Sequence, residues 1–187
     1  LAHIAEDGRE QTVFEHLAAE FSRPFGGEAQ GLLAGTAHDI GKYSAAFQRR
    51  LTGDSRRVDH ATAGAFECMG RGQPFAAFAV AGHHGGLPDG GGRGDGPEAA
   101  TFWGRIKRAG RGGLEPYGAW AREVSLPGGQ PPPFAKQNPG AGMFFIRMLY
   151  SCLVAADFLD TEDFMSGKPR GSCSGCWKKK APSIRPL

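Results

Sequence analysis

The chain has 187 residues, 40% of them hydrophobic, and a formal net charge of +3. This length and apolar fraction fit one globular domain with a substantial core, and they exclude a wholly disordered chain. The small positive charge fits an ordinary solvated surface and is weak evidence for a nucleic-acid partner. The four cysteines are too few and too unevenly spaced for a disulfide framework.

The first predicted helix runs over "TVFEHLAAEF", residues 12–21. Val13, Phe14, Leu17, Ala18 and Phe21 recur there at helical spacing, with Thr12 as the cap and His16 beside the stripe. "SRPFGG" breaks it. Residues 29–51 resume helical character around Leu32, Leu33, Phe47 and Leu51, with an interruption near Gly41. A polar loop over residues 52–59 leads to "DHATAGAFECM", which places His60 at the start of a third helix. "PFAAFAVAGHHGG" predicts a fourth, with Pro74 in its first turn and Gly85–Gly86 ending it, so His83 and His84 fall at its C-terminus.

"GGLPDGGGRGDGP" has little to bury and reads as a mobile loop. "EAATFWGRIKRAG" predicts a helix carrying Arg105, Lys107 and Arg108, and "GAWAREV" a shorter one. A Pro/Gly loop then precedes the most apolar helix, "AGMFFIRMLYSCLVAADFLDTEDFM". Its apolar run, Met143 to Leu159, is interrupted by Arg147 and Asp157 and reads as a buried helix, not a membrane span. No strand-like alternation persists. The expected architecture is all-α, a bundle of five to seven helices with variable loops. No signal peptide is visible, and a cytoplasmic location is expected. The start at Leu1 and the ending "KKKAPSIRPL" suggest a piece of a longer polypeptide. Cys152 reads as a buried thiol. Cys173 and Cys176 form a C-x-x-C without the second pair that a structural zinc site needs.

Polar groups in apolar surroundings carry the chemistry. They are His16, His38, Asp39, His60, His83, His84 and Asp157, which include five of the six histidines. Met143, Ile146, Tyr150, Leu153 and Asp157 fall at steps of three and four residues. They therefore share a helix face, where a carboxylate is costly unless it is paired or binds metal. Each histidine taken alone is more often a satisfied core residue than a ligand. As a set, imidazoles and carboxylates suit Mn, Fe, Ni, Co or Zn, and seven ligands are too many for one ion with an open position. Two divalent ions fit better, with Asp39 as the bridge and the adjacent His38 pointing elsewhere. Histidine-rich ligation tilts toward Mn, Fe, Ni or Co and leaves Mg or Zn as lesser options. Lys42, three residues after Asp39, is placed to steady a phosphate or protonate a leaving oxygen.

The stretches "LAHI", "FEHL", "AHDIGKYSAAFQ", "DHATAG", "AGHHGG" and "RMLYSCLVAADFLDTEDF" together resemble the HD superfamily of metal-dependent phosphohydrolases. More narrowly, they resemble the HD nuclease domain of the CRISPR type I nuclease–helicase. The resemblance spans residues 1–164, and the domain is drawn at residues 1–165 with a basic polar tail or linker over 166–187. It implies an HD-domain helical bundle that cuts single-stranded DNA in antiviral defence, as an endonuclease and in some members an exonuclease. By position, His16, His38, Asp39 and Asp157 would hold one ion, and Asp39, His60, His83 and His84 the other. Lys42 matches the family's lysine after HD.

The implied partners are single-stranded DNA, a superfamily 2 helicase and the Cascade surveillance complex. No membrane is implied. No Walker A pattern occurs in the chain. Arg105, Lys107, Arg108 and Arg111 are candidates to guide the DNA backbone, with a solvated helix face as the equal alternative. Trp103, Tyr117 and Trp120 read as core rather than as stacking platforms. Two rival functions stand beside the nuclease. One is an HD enzyme of nucleotides or cyclic dinucleotides; the other is an inert scaffold module of a CRISPR complex.

Overall fold

The computed structural model describes residues 17–51, 53 and 58–166. His16, Thr12, Cys173 and Cys176 lie outside these residues. Seven α-helices account for most of the described chain: α1 (Leu17–Ser22), α2 (Glu28–Ala37), α3 (Ala45–Leu51), α4 (Ala61–Gly70), α5 (Pro74–Gly82), α6 (Phe102–Gly110) and α7 (Pro139–Ser166). Short 3₁₀ segments sit between them at Arg23–Phe25, Ile40–Tyr43, Gly118–Arg122 and Pro133–Lys136. The described residues contain no strand, so the fold is all-α.

The bundle is built on small residues. Helix α2 packs on α1, α4, α5 and α7, and α5 lies between α4 and α7. Ala18, Ala34, Ala37, Ala65, Ala76, Ala77, Ala79 and Ala156 are fully buried at these contacts. Among the close backbone approaches that admit only glycine, two lie at the start of α4. A Cβ on Gly64 of α4 would strike the carbonyl of Ala37 at the end of α2, and a Cβ on Gly41 would strike the backbone of His60. Both contacts bring the His38–Asp39 corner against the start of α4.

Helix α7 is 28 residues long, enough on length and composition to cross a bilayer. Its buried side nevertheless marks it as a core helix. Phe145, Leu149, Leu153 and Ala156 are fully buried, and Ile146 and Asp160 nearly so, with α1, α2 and α5 packed against the helix. Met143 is a correction to the expected stripe, because it stands 46% exposed in the first turns. Phe145 takes the inward place instead, among the rings of Phe25, Phe75 and Phe134.

The glycine-rich stretch before α6 also departs from expectation. Asp95 accepts from Gly92 N and Thr101 Oγ1, while Phe102 N donates to Asp89 O. Lys107 Nζ donates to the carbonyls of Arg93 and Asp95, and Arg108 donates to Pro97 O. The loop buries little, but it is stitched to α6 by polar contacts that its composition does not reveal. Trp120 is buried, and Trp103 and Tyr117 pack against the core. Cys152 is half-buried rather than sealed, and Cys68 is the fully buried thiol.

Candidate metal centre

Helix α2 ends at Ala37, and His38 caps it while its backbone N–H still bonds Ala34 O. At Asp39 the backbone leaves helical geometry (φ −103°, ψ 6°) and enters the 3₁₀ turn Ile40–Tyr43. This bend matters. In a continuing helix the two neighbours would diverge by about 100°. Here they converge, with His38 Nε2 3.3 Å from Asp39 Oδ2, which corrects the expectation that the pair points apart. One 3₁₀ turn places residue i+3 over residue i. Lys42 accordingly meets Asp39, its Nζ 2.7 Å from Oδ2, and it is buried rather than solvated. Gln48 Nε2 donates to Lys42 O at 2.7 Å and holds that turn.

The other histidines come from helix ends, as their sequence context predicts. His60 precedes α4, with its Nε2 3.7 Å from Asp39 Oδ1. His83 caps α5 and places its Nε2 4.0 Å from the same oxygen. His84 follows at the rim, its Nε2 2.8 Å from His60 Nε2. Asp157 arrives from α7, with Oδ1 3.5 Å from His38 Nε2. The structure therefore brings together His38, Asp39, Lys42, His60, His83, His84 and Asp157.

Two donor groups emerge within this cluster. Asp39, His60, His83 and His84 each offer a ligand atom within 4.8 Å of all the others, and so do His38, Asp39 and Asp157. Asp39 belongs to both. Its Oδ1 faces His60 and His83, and its Oδ2 faces His38 and Lys42.

The residues fit a cation. Asp39 Oδ1 and His83 Nε2 are buried without a hydrogen-bond partner, although buried polar atoms are nearly always satisfied. His38 Nδ1 and His83 Nδ1 each lie 2.7 Å from a helix carbonyl, of Gly35 and Val80 respectively. A carbonyl accepts only, so each Nδ1 carries the proton, and each Nε2 is the ring nitrogen turned to the pocket. Two nitrogens bound about 2.1 Å from one ion at a right angle stand about 3.0 Å apart, close to the His60–His84 spacing. This His/Asp group can hold a metal ion.

Electrostatics divide the histidines. Burial opposes charge on His38, but the carboxylates of Asp39 and Asp157 outweigh it and hold the imidazole up at about 10. Burial pushes His60 down to about 4, and burial with the neighbouring His38 charge pushes His83 to about 3. Burial also lowers His84. Burial would raise Asp39, but His38 and then Lys42 hold it well below the usual carboxylate range. At neutral pH the first donor group is therefore already in its metal-binding form, and His38 must shed a proton to ligate. We expect metal binding at pH 7 to release about one proton per chain, falling to none as pH rises past about 10. Calorimetry in buffers of different ionisation enthalpy measures this count, and a His38→Gln variant should bring it close to zero.

A groove of about 700 Å³ leads to the cluster, bordered by Lys42, Phe47, Arg50, His60, His84, Leu87 and Arg105. Of the four expected DNA contacts, only Arg105 borders it, and its guanidinium is engaged internally with Thr62 and Ala81 O. Lys107 and Arg108 brace the loop described above, and Arg111 is exposed beyond the end of α6. An amphipathic basic helix reads the same in sequence whether its cations face solvent or clamp a carbonyl-rich loop. The sequence reading passed over Arg50. Its only signal is its place in "FQRRL", one helix after the HD corner.

No family model matches this chain, and no curated protein matches it.

Proposed function

We propose that this chain is a metal-dependent phosphodiesterase of the HD type, a nuclease hydrolysing single-stranded DNA. The observation that carries the reading is the buried convergence on Asp39: two separate donor groups share one carboxylate, whose buried Oδ1 has no hydrogen-bond partner. Two divalent ions are the proposed occupants, Mn, Fe, Ni or Co before Mg or Zn. Asp39, His60, His83 and His84 would hold one, and His38, Asp39 and Asp157 the other, with His16 assigned to the latter by resemblance alone. Such ions supply Lewis acidity and a nucleophile at neutral pH.

The chain's own residues do the rest. The carbonyls of Gly35 and Val80 fix the tautomers and ring planes of His38 and His83. Lys42 keeps a cationic hydrogen-bond donor beside Asp39, where a phosphate oxygen or a leaving oxygen would arrive. Phe47 and Leu87 give the groove apolar walls, and Arg50 gives it positive charge for a polyanion. A helicase and a Cascade-type complex remain the proposed partners, and the cytoplasm the proposed location.

A second reading, hydrolysis of nucleotides or cyclic dinucleotides, draws on the size of the groove, which lies within the range of small-ligand sites. One experiment separates them. Metal-free protein is loaded with each of Mn, Fe, Co, Ni, Mg and Zn and given circular single-stranded DNA, duplex DNA and a panel of cyclic dinucleotides. Elemental analysis is run on the same samples. The nuclease reading expects linearisation of the single-stranded circle with at least one transition metal. Turnover of the small substrates with intact circles would replace it with the second reading.

A further inference from the structure

We propose that Arg105 is a positioning residue for the metal centre, locking together the two helix ends that supply its histidines. The inference rests on the cluster being a metal site and adds a residue that touches none of the ligand side chains.

His60 is held at the start of α4, and His83 and His84 at the end of α5. Arg105 reaches both from α6. Its guanidinium donates to Thr62 Oγ1 through Nε at 3.1 Å and Nη2 at 2.7 Å, and to Ala81 O through Nη1 at 3.0 Å. Thr62 lies two residues after His60, and Ala81 two residues before His83. Asp59, just before His60, completes the device. It accepts from Thr62 N at 3.1 Å and from Thr62 Oγ1 at 2.6 Å, and its Oδ1 stands 3.5 Å from Arg105 Nη2.

Every group in this network has a defined role. The Thr62 hydroxyl has one proton and two lone pairs, which go to Asp59 and Arg105, so its capacity is filled. Ala81 O is one of the last carbonyls of α5, a helix-end acceptor without an intrahelical donor, where positive charge is favourable. Thr62 itself is 2% exposed, while Arg105 and Asp59 reach it from the groove side and stay partly open to solvent. A lysine cannot replace the arginine, because reaching a hydroxyl on one helix and a carbonyl on another needs the planar fork. Ligand geometry tolerates only about 0.5 Å of error, and α4 and α5 have few large side chains near these ends to hold them. The arginine adds a directional polar constraint at the two ends that carry the histidines.

The test compares wild type, Arg105→Met, Arg105→Lys and the milder Thr62→Val, which removes the shared hydroxyl at nearly constant volume. Each metal-free protein is titrated with Mn and with Co by calorimetry. Bound metal is then counted by elemental analysis, and helicity and melting are followed by circular dichroism. Arg105→Met and Thr62→Val should retain helicity and bind metal at least about tenfold more weakly at the Asp39–His60–His83–His84 group. The ion held by His38, Asp39 and Asp157 should be kept, and Arg105→Lys should not restore the lost one. Affinity within about twofold of wild type in both variants would overturn the proposal, as would equal loss at both groups accompanied by lost helicity. Wild type that binds neither ion would end the metal reading itself and this inference with it.

Discussion

Asp39→Ala is expected to bring DNA cleavage to background and to strip the protein of most of its metal. Asp39 is the residue common to both donor groups, so its loss opens both. The substitution should also weaken the metal-free fold. Asp39 is buried against Lys42 at 2.7 Å and His38 at 3.3 Å, and deleting one member of a buried ion pair costs about 3–5 kcal/mol. Asp39→Asn separates the two effects. It keeps the shape and a hydrogen-bonding oxygen, so it should melt closer to wild type while still failing to cleave. Elemental analysis, chemical denaturation and a single-stranded circle assay on the two variants check each part. Full cleavage by a clean Asp39→Ala preparation would refute the site.

Phe145→Ala should produce the largest loss of stability of any single truncation in the core, about 3–5 kcal/mol. The ring is fully buried, and three other aromatic rings meet it edge-on, Phe25, Phe75 and Phe134, with centroids 5.5 to 5.9 Å away. These come from the segment after α1, from α5 and from the 3₁₀ turn before α7, so one truncation loosens three elements at once. For a chain of this size the melting temperature should fall by about 10 °C. Phe145 lies 12 residues from Asp157, about 18 Å along α7. Cleavage per folded molecule should therefore be unchanged below the transition, and thermal melts paired with assays at low temperature would show it.

Much of this arrangement could be read in the residues because Asp39 and the histidines sit at helix boundaries, which have chemical signatures, while Asp157, inside α7, shows itself as a carboxylate on an apolar stripe. Pro74 and Gly85–Gly86 bracket α5 and so place His83 and His84 at its end. His60 is located by the change from polar loop to alanine-rich helix. The all-α class follows from the same periodicities. What was not legible has a common cause: each missed feature depends on contacts between distant segments. The bend at Asp39 leads into a turn where Gly41 packs on the backbone of His60, a distant contact that no local pattern announces. The loop before α6 looks unstructured by composition, and only the reach of Lys107 and Arg108 shows otherwise. Arg105 sits in a run of basic residues that look alike, and its different role comes from lying opposite Thr62 and Ala81. Met143 satisfies the spacing of the apolar stripe, but at the start of α7 the aromatic cluster selects its neighbour but one instead.

The ion pair between Lys42 and Asp39 gives the protein a way to wait. Two carboxylates and several imidazoles crowded into one pocket would repel one another or draw in water if nothing balanced them. Before any metal arrives, the ammonium of Lys42 and the proton on His38 set two positive charges against the two aspartates. On the proposed metal-dependent reading, a newly made chain would fold to a neutral, preshaped receptor first and take up ions afterwards, so assembly would not depend on how much metal the surroundings hold at that moment.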